Sequence, residues 1–360
     1  MRALGAVLAI VIVTQLASCA AQAPGDARRV RAVAPGDSAQ AAVTSAAPGD
    51  SAQARAVTPP RPRQAPIVLS NLHGTDGLPE ACARLGVTPC LIMYQNWIDP
   101  DDTGTWARPD LTAEWIRANV PEGYDGYLVL DWEAGVVERI AAGPGTPRFD
   151  GVVRELVKLL EFAKGERPLA KVGYYDLPYS SYWRQDDAWR ERMRALAPVF
   201  DASDALFPSA YDFYPGEAAR DSTRFRAMVE LALELSGGKP VFPYTHHRYH
   251  HDETDSGYRL IPRDEYVRHV RSLMQAEWNG RRPAGVVAWA EDAYFHDRAF
   301  GTAGDGTWAW KGETADRVRA VCRQETPEGT FAADHAAAVY ARVCCLLGEA
   351  VLGVPCPTAQ

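Results

Sequence analysis

Apolar and polar positions change period repeatedly between residues 67 and 290. Short, mostly apolar runs alternate with longer stretches in which apolar residues recur every three or four positions. The short runs predict strands at Ile67–Asn71, Leu91–Gln95, Gly126–Asp131, Ala170–Tyr175, Ala205–Tyr211, Lys239–Tyr244 and Gly285–Trp289. The longer stretches predict amphipathic helices near 111–119, 151–164, 187–198, 223–236 and 264–279. Strand and helix in regular alternation predict a parallel sheet. Seven strands in this span fit a closed, TIM-like (β/α) barrel of seven or eight strands better than an open doubly wound sheet. No Gly-rich phosphate loop follows the first strand, which argues against a dinucleotide fold. Asp316 to Gln360 reads as a helical, Cys-rich tail packed on the barrel.

The pattern is sharpest at Gly126–Gly135. A buried-strand sequence, Tyr127-Leu-Val-Leu130, ends on Asp131-Trp132-Glu133. Side chains alternate across a strand, so Asp131 and Glu133 share a face and Trp132 takes the other. Their α-carbons are expected about 6.6 Å apart. Two acids so placed do not ionise independently, and one is held protonated to higher pH. A carboxylic acid still protonated near neutrality is what a general acid requires.

Other predicted strands also end in aromatic or acidic residues. These are Tyr94 and Trp97, Tyr174 to Asp176, Tyr211 and Asp212, Tyr244 and Tyr249, and Trp289 to Asp292. The carboxyl ends of barrel strands form the active face. Aromatic rings there offer flat apolar surfaces to sugars, and acids offer hydrogen bonds and protons. The repetition points to a carbohydrate cleft.

Charge divides the chain. Residues 67–360 carry 31 Lys and Arg against 43 Asp and Glu, a net of −12, which argues against nucleic acid as a partner. It also disfavours a highly charged polyanionic substrate unless the cleft is locally basic. Residues 20–66 are low in complexity and carry a net of +3. Ala34-Pro-Gly-Asp-Ser-Ala-Gln-Ala41 recurs at Ala47–Ala54, and the stretch reads as a disordered tether. Residues 1–19 form an export signal, with Arg2 ahead of the apolar run Leu4–Val13. Leu16-Ala-Ser-Cys19 resembles the lipobox of bacterial lipoproteins. That resemblance implies lipidation at Cys19 and a membrane-anchored lipoprotein outside the cytoplasm. Six cysteines remain (Cys82, Cys90, Cys322, Cys344, Cys345 and Cys356), an even number that suits disulfides in an oxidising compartment.

Several segments, in order, resemble the hyaluronidases of animals and venoms, glycoside hydrolases built on a β/α barrel. Leu128-Val-Leu-Asp-Trp-Glu-Ala134 is similar to that family's Asp-Trp-Glu strand, and Gly173-Tyr-Tyr-Asp-Leu-Pro178 to its Gly-Tyr-Tyr-x-x-Pro segment. Ala205-Leu-Phe-Pro-Ser-Ala-Tyr211, Pro240-Val-Phe-Pro-Tyr244 and Gly285-Val-Val-Ala-Trp289 resemble the strands that follow. The resemblance implies a polysaccharide substrate containing N-acetylhexosamine and a retaining, substrate-assisted mechanism, with no metal and no cofactor. It implies Glu133 as general acid and base, Asp131 as partner of the acetamido group, and Tyr249 as its positioner. Tyr211 and Trp289 become the subsite wall, with Tyr174, Tyr244 and Tyr94 as further sugar contacts, and Cys82 with Cys322 a disulfide. The chain departs from the family where Gly135-Val-Val replaces Trp-Arg-Pro after the catalytic acid, and one cleft wall is shorter.

A second constellation competes. His246, His247, His250 and His251 have the i, i+4 spacing of helical zinc ligands. The run follows a strand and lacks an apolar helical face, so a loop at the barrel mouth, its histidines solvated or touching sugar hydroxyls, fits better. The alternatives to a glycosidase are thus a non-catalytic glycan-binding lipoprotein on the same barrel and a metal-dependent hydrolase using His246–His251.

Overall fold

The computed structural model describes residues 66–72, 85–179, 185–212, 214–216, 218–250, 257–290, 313–325 and 333–353. The expected signal peptide, tether and lipidated Cys19 fall outside these residues, as do Cys82, Cys356, His251, Glu291 and Asp292 and the side chain of Cys322. The expected Cys82–Cys322 bridge therefore lies outside the described side chains. Cys344 and Cys345 are disulfide-bonded.

Strands β1 (Ile67–Leu72), β2 (Val87–Pro89), β3 (Leu91–Met93), β4 (Tyr127–Leu130), β5 (Lys171–Tyr174), β6 (Tyr244–His246) and β7 (Gly285–Ala290) all pair in parallel. β1 lies between β7 and β2, with Val68 opposite both Val286 and Val87. β4 lies between β3 and β5, with Leu128 opposite both Leu91 and Val172. Only Cys90 separates β2 from β3, so one stave passes its pairing from β1 to β4. From β5 the pairing continues through bridges Tyr175–Phe207, Leu206–Val241 and Ser209–Tyr244, and then β6 meets β7. Among the described residues, seven staves thus pair in an unbroken ring. The expected strands Ala205–Tyr211 and Lys239–Tyr244 survive mainly as bridges because Pro208, Pro240 and Pro243 have no N–H for a regular ladder.

Alternation sorts the barrel into an inside and an outside. Leu69, Cys90, Ile92, Val129, Phe207, Phe242 and Val287 fill the interior, where Phe207 stacks on Phe242 with centroids 5.9 Å apart. Their neighbours Leu128, Leu130 and Val172 face outward into the helical layer. Gly173 is required at this junction, since a Cβ there would stand 2.3 Å from the Ala205 carbonyl oxygen.

The helix Pro147–Glu166 shows why the outer layer forms. Phe149, Val152, Leu156, Leu159, Leu160 and Ala163 recur on one stripe and are buried. Each large side chain so buried contributes about 1.5–3 kcal/mol. The helix begins four residues ahead of the expected start because the Thr146 hydroxyl accepts the Phe149 N–H at 3.3 Å and Pro147 suits the first turn. The expected helix 187–198 is split into Asp187–Ala195 and Ala197–Ala202, with Pro198 in the first turn of the second. The expected helix 264–279 ends at Met274, before the turn in which Asn279 and Gly280 take positive φ.

On the opposite side, Val339, Val343, Leu346 and Leu347 of the tail pack with Val68, Val87 and Val286, so the described part of the tail covers the outer face of β1 and β7. No helix among the described residues is long and apolar enough to cross a membrane.

Candidate active site at the barrel mouth

The alternation of β4 continues beyond its last residue. The Asp131 N–H donates to the Met93 carbonyl at 2.9 Å, keeping the chain extended beside β3. Trp132 turns outward into the helical layer, 3% exposed, and its indole N–H donates to Asp99 Oδ2 at 3.3 Å. Asp131 and Glu133 therefore share the inner side, and their carboxyls are hydrogen-bonded to one another. A bond between two carboxyl groups exists only if one keeps its proton. Burial pushes Asp131 up to about 7, and the charge of Asp176 adds to the rise. The bond with Glu133 works against it, as a protonated Glu133 donating to Asp131 would. Asp131 Oδ1 is shut off from solvent and has no hydrogen-bond partner in the structure.

Gln95, to which the sequence reading assigned no role, fixes the backbone of this pair. Its side chain is fully buried at the end of β3. Oε1 accepts the N–H groups of Glu133 at 2.9 Å and Ala134 at 2.7 Å, while Nε2 donates to Asp102 Oδ1 and to the Ala134 carbonyl. One amide thus satisfies the turn that carries the acid. Beyond it, Gly135 has φ +74°, and a Cβ there would lie 2.2 Å from the Gly104 nitrogen. The two loops touch backbone to backbone, which only glycine permits. Next to this contact lies a depression of about 430 Å³ lined by Asp102, Thr103, Thr105, Glu138, Arg139 and Arg148, among others.

Aromatic rings complete the mouth. Trp289 is half-buried, stacks on Tyr211 at 6.0 Å and lies 4.9 Å from the His246 ring. Its indole N–H donates to the Tyr94 hydroxyl at 3.5 Å. Tyr211 also stacks on His250 at 5.8 Å and sits 6.1 Å from Tyr175, whose hydroxyl donates to Ser209 Oγ at 3.2 Å. Burial first, and then the charges of Asp131, Glu133 and Asp176, hold the Tyr211 hydroxyl well above its ordinary pKa, so it stays protonated.

Asp131, Glu133, Tyr211, Trp289 and Tyr94 thus come together as expected, and three other expected contacts do not. Tyr174 faces outward, 2% exposed, with its hydroxyl on the Leu156 carbonyl at 2.8 Å; its neighbour Tyr175 is the ring that faces inward. Tyr244 is fully buried inside the barrel, edge-on to Tyr175 at 4.9 Å, and supports the mouth without lining it. Tyr249, 3% exposed, belongs to the outer apolar cluster with Val68, Ile261 and Tyr266. Within the described part of the histidine run, His246 ends β6, and both His246 and His247 are buried rather than solvated. Among the described residues no group of three or more His, Cys, Asp or Glu could hold a metal ion.

No protein-family model matches the chain, and no curated protein matches it. Solved structures similar to it include bee venom hyaluronidase in complex with a hyaluronic acid tetramer, at 16% identity over 63% of this chain and 91% of that one, TM-score 0.48. A monoclinic structure of bee venom hyaluronidase shares 15% identity over 73% of this chain and 98% of that one, TM-score 0.49. A GH113 β-1,4-mannanase shares 14% over 63% and 88%, TM-score 0.31. Likeness at this level carries neither activity nor substrate to this chain.

Two predictions follow from the geometry. Gln95→Leu orphans the buried N–H groups of Glu133 and Ala134 and should destabilise the protein by about 1–3 kcal/mol for each. An unchanged urea midpoint would show that Gln95 does not hold this turn. The second concerns pH. The folded pKa of Asp131, about 7, lies above its ordinary value of 3.8, so the native state holds the extra proton between the two. The corresponding stability is fully present below the lower value and is lost as pH rises through the upper one. The proton belongs to the Asp131–Glu133 pair, so Asp131→Asn should flatten the decline in urea midpoint between about pH 4 and pH 7. Equal slopes in the two proteins would contradict this.

Proposed function

We propose that the chain is a glycoside hydrolase that cleaves N-acetylhexosaminidic bonds with retention by a substrate-assisted route. The observation that carries this reading is the hydrogen-bonded Asp131–Glu133 pair at a barrel mouth walled by Trp289 and Tyr211. Glu133 delivers its proton to the glycosidic oxygen as the bond to the anomeric carbon breaks. The acetamido carbonyl oxygen of the bound sugar attacks that carbon from the opposite face and forms a cyclic oxazolinium. Asp131 accepts a hydrogen bond from the acetamido N–H of the bound sugar. The Glu133 carboxylate then takes a proton from water as the water opens the ring, and configuration is restored.

A non-catalytic glycan-binding protein on the same barrel would not need a half-buried carboxyl pair sharing a proton, whose formation costs stability above neutral pH. A metal-dependent hydrolase is disfavoured by the placement of His246 and His247 in packed surroundings. We further propose that the protein is exported and held at a bacterial membrane by lipid on Cys19. Cys19→Ala should move the protein from the membrane fraction to the soluble fraction, and unchanged retention would refute the anchor.

The catalytic reading is tested on chitin-type oligomers and a chromogenic N-acetylglucosaminide. Glu133→Gln preserves shape but removes the transferable proton, and kcat should fall by about 10²–10⁴-fold with little change in KM. Near-full activity in that variant, or covalent labelling of Asp131 or Asp176 by a fluorosugar, would overturn these roles.

A further inference from the structure

We propose that Asp102 is a positioning residue for Glu133 and acts through the side-chain amide of Gln95. The proposal rests on the glycosidase reading above and adds a residue to it from the neighbouring loop, residues 99–104. The two ends of an amide are nearly alike in shape and opposite in polarity. Buried Gln95 can therefore lie two ways round, and only one serves the turn. As it stands, Oε1 accepts the N–H groups of Glu133 at 2.9 Å and Ala134 at 2.7 Å. These belong to the peptide units on either side of the Glu133 α-carbon, so together they aim its side chain. Reversed, the amide would turn its NH2 toward those two donors and its oxygen toward the Asp102 carboxylate and the Ala134 carbonyl. All four bonds would be lost at a side chain closed to water. Of the two acceptors at the Nε2 end, the Ala134 carbonyl is 3.4 Å away, and the Asp102 carboxylate is nearer and charged. Asp102 thus decides which way round the amide lies.

The loop that carries Asp102 is itself anchored. The Asp102 N–H donates to the Asp99 carbonyl at 3.2 Å, and its φ of +55° lies in the left-handed region that Asp and Asn tolerate better than most residues. Asp99, 2% exposed, accepts the Gly104 N–H at 2.6 Å, the Thr103 hydroxyl at 3.1 Å and the Trp132 indole N–H at 3.3 Å. One loop therefore grips the Glu133 turn from both flanks, Asp99 through Trp132 and Asp102 through Gln95. Burial raises the pKa of Asp102, the bond from Gln95 opposes the rise, and the charges of Asp99, Asp101 and Glu138 add to it. The Gln95 bond is thus the contact that favours an ionised carboxylate at this position. A general acid must hold its proton in line with the glycosidic oxygen, and a misplacement of about 1 Å can cost on the order of 100-fold in rate.

The experiment uses the full chain and three variants. Asp102→Gly removes the carboxylate and accepts the positive φ without strain, whereas Asp102→Ala removes it and strains the backbone. Their backbone costs differ, so an effect common to both belongs to the lost acceptor; if one does not fold, the other is read alone. Without substrate, amide hydrogen exchange at Glu133 and Ala134 should accelerate about tenfold or more in both. The Asp131 and Tyr175 amides, held by the Met93 and Leu130 carbonyls, should be unchanged. On N-acetylglucosamine oligomers, kcat should fall about tenfold or more while KM moves less than about threefold. Asp102→Asn keeps an acceptor and suits the same φ, and should restore most of both losses. Unchanged exchange at Glu133 and Ala134 in the Gly and Ala variants would overturn the grip on the turn. Faster exchange with undiminished kcat, or a loss carried by KM, would overturn the positioning role and leave the glycosidase reading standing. An Asn variant as impaired as the Gly variant would overturn the part given to the acceptor. Wild-type protein inactive on every N-acetylhexosamine glycan would overturn the glycosidase reading and the catalytic purpose of the grip, whose existence the exchange rates still decide.

Discussion

The parity of side chains along β4 is the constraint on which the site depends. Val129 faces the barrel interior and Leu128 and Leu130 face the helices. The backbone bond from Asp131 to Met93 carries that parity past the strand. A shift of one residue would bury Asp131 among helix side chains and put Trp132 in the mouth. The ring of parallel pairings prevents this, because β4 is registered against β3 on one side and β5 on the other. What looks like a local Asp-Trp-Glu signature is therefore positioned by its neighbours' hydrogen bonds.

Much of this was legible in the chain. The apolar runs, their spacing and the abrupt ending of one run on Asp131 and Glu133 require only local information. Relations between strands were less accessible. Gly173-Tyr-Tyr-Asp176 contains adjacent tyrosines, and sequence alone does not say which faces in; pairing of Leu130 with Tyr174 decides it in favour of Tyr175. Tyr249 lies far enough past β6 that the path of the intervening turn, not strand alternation, sets its position. Gln95 left no motif. Its signal was a polar side chain at the end of an apolar strand, where an amide must find partners or not be buried at all.

The mouth also illustrates how burial and charge act together. Removing water around Asp131 favours its neutral form, and the charge of Asp176 reinforces that preference while the bond with Glu133 opposes it. The surrounding rings of Tyr175, Tyr211 and Trp289 contribute by excluding solvent as much as by offering surface. Apolar wall and acid centre are thus one arrangement.

The contact between Gly104 and Gly135 has a bearing on engineering. Each glycine occupies the space where the other would carry a side chain, so the pair tolerates no diversity on either side. Combinatorial libraries aimed at the barrel mouth would waste every member mutated there. Productive variation belongs on the rings across the mouth, at Tyr94, Tyr211 and Trp289, whose replacement leaves the turn beneath Glu133 untouched.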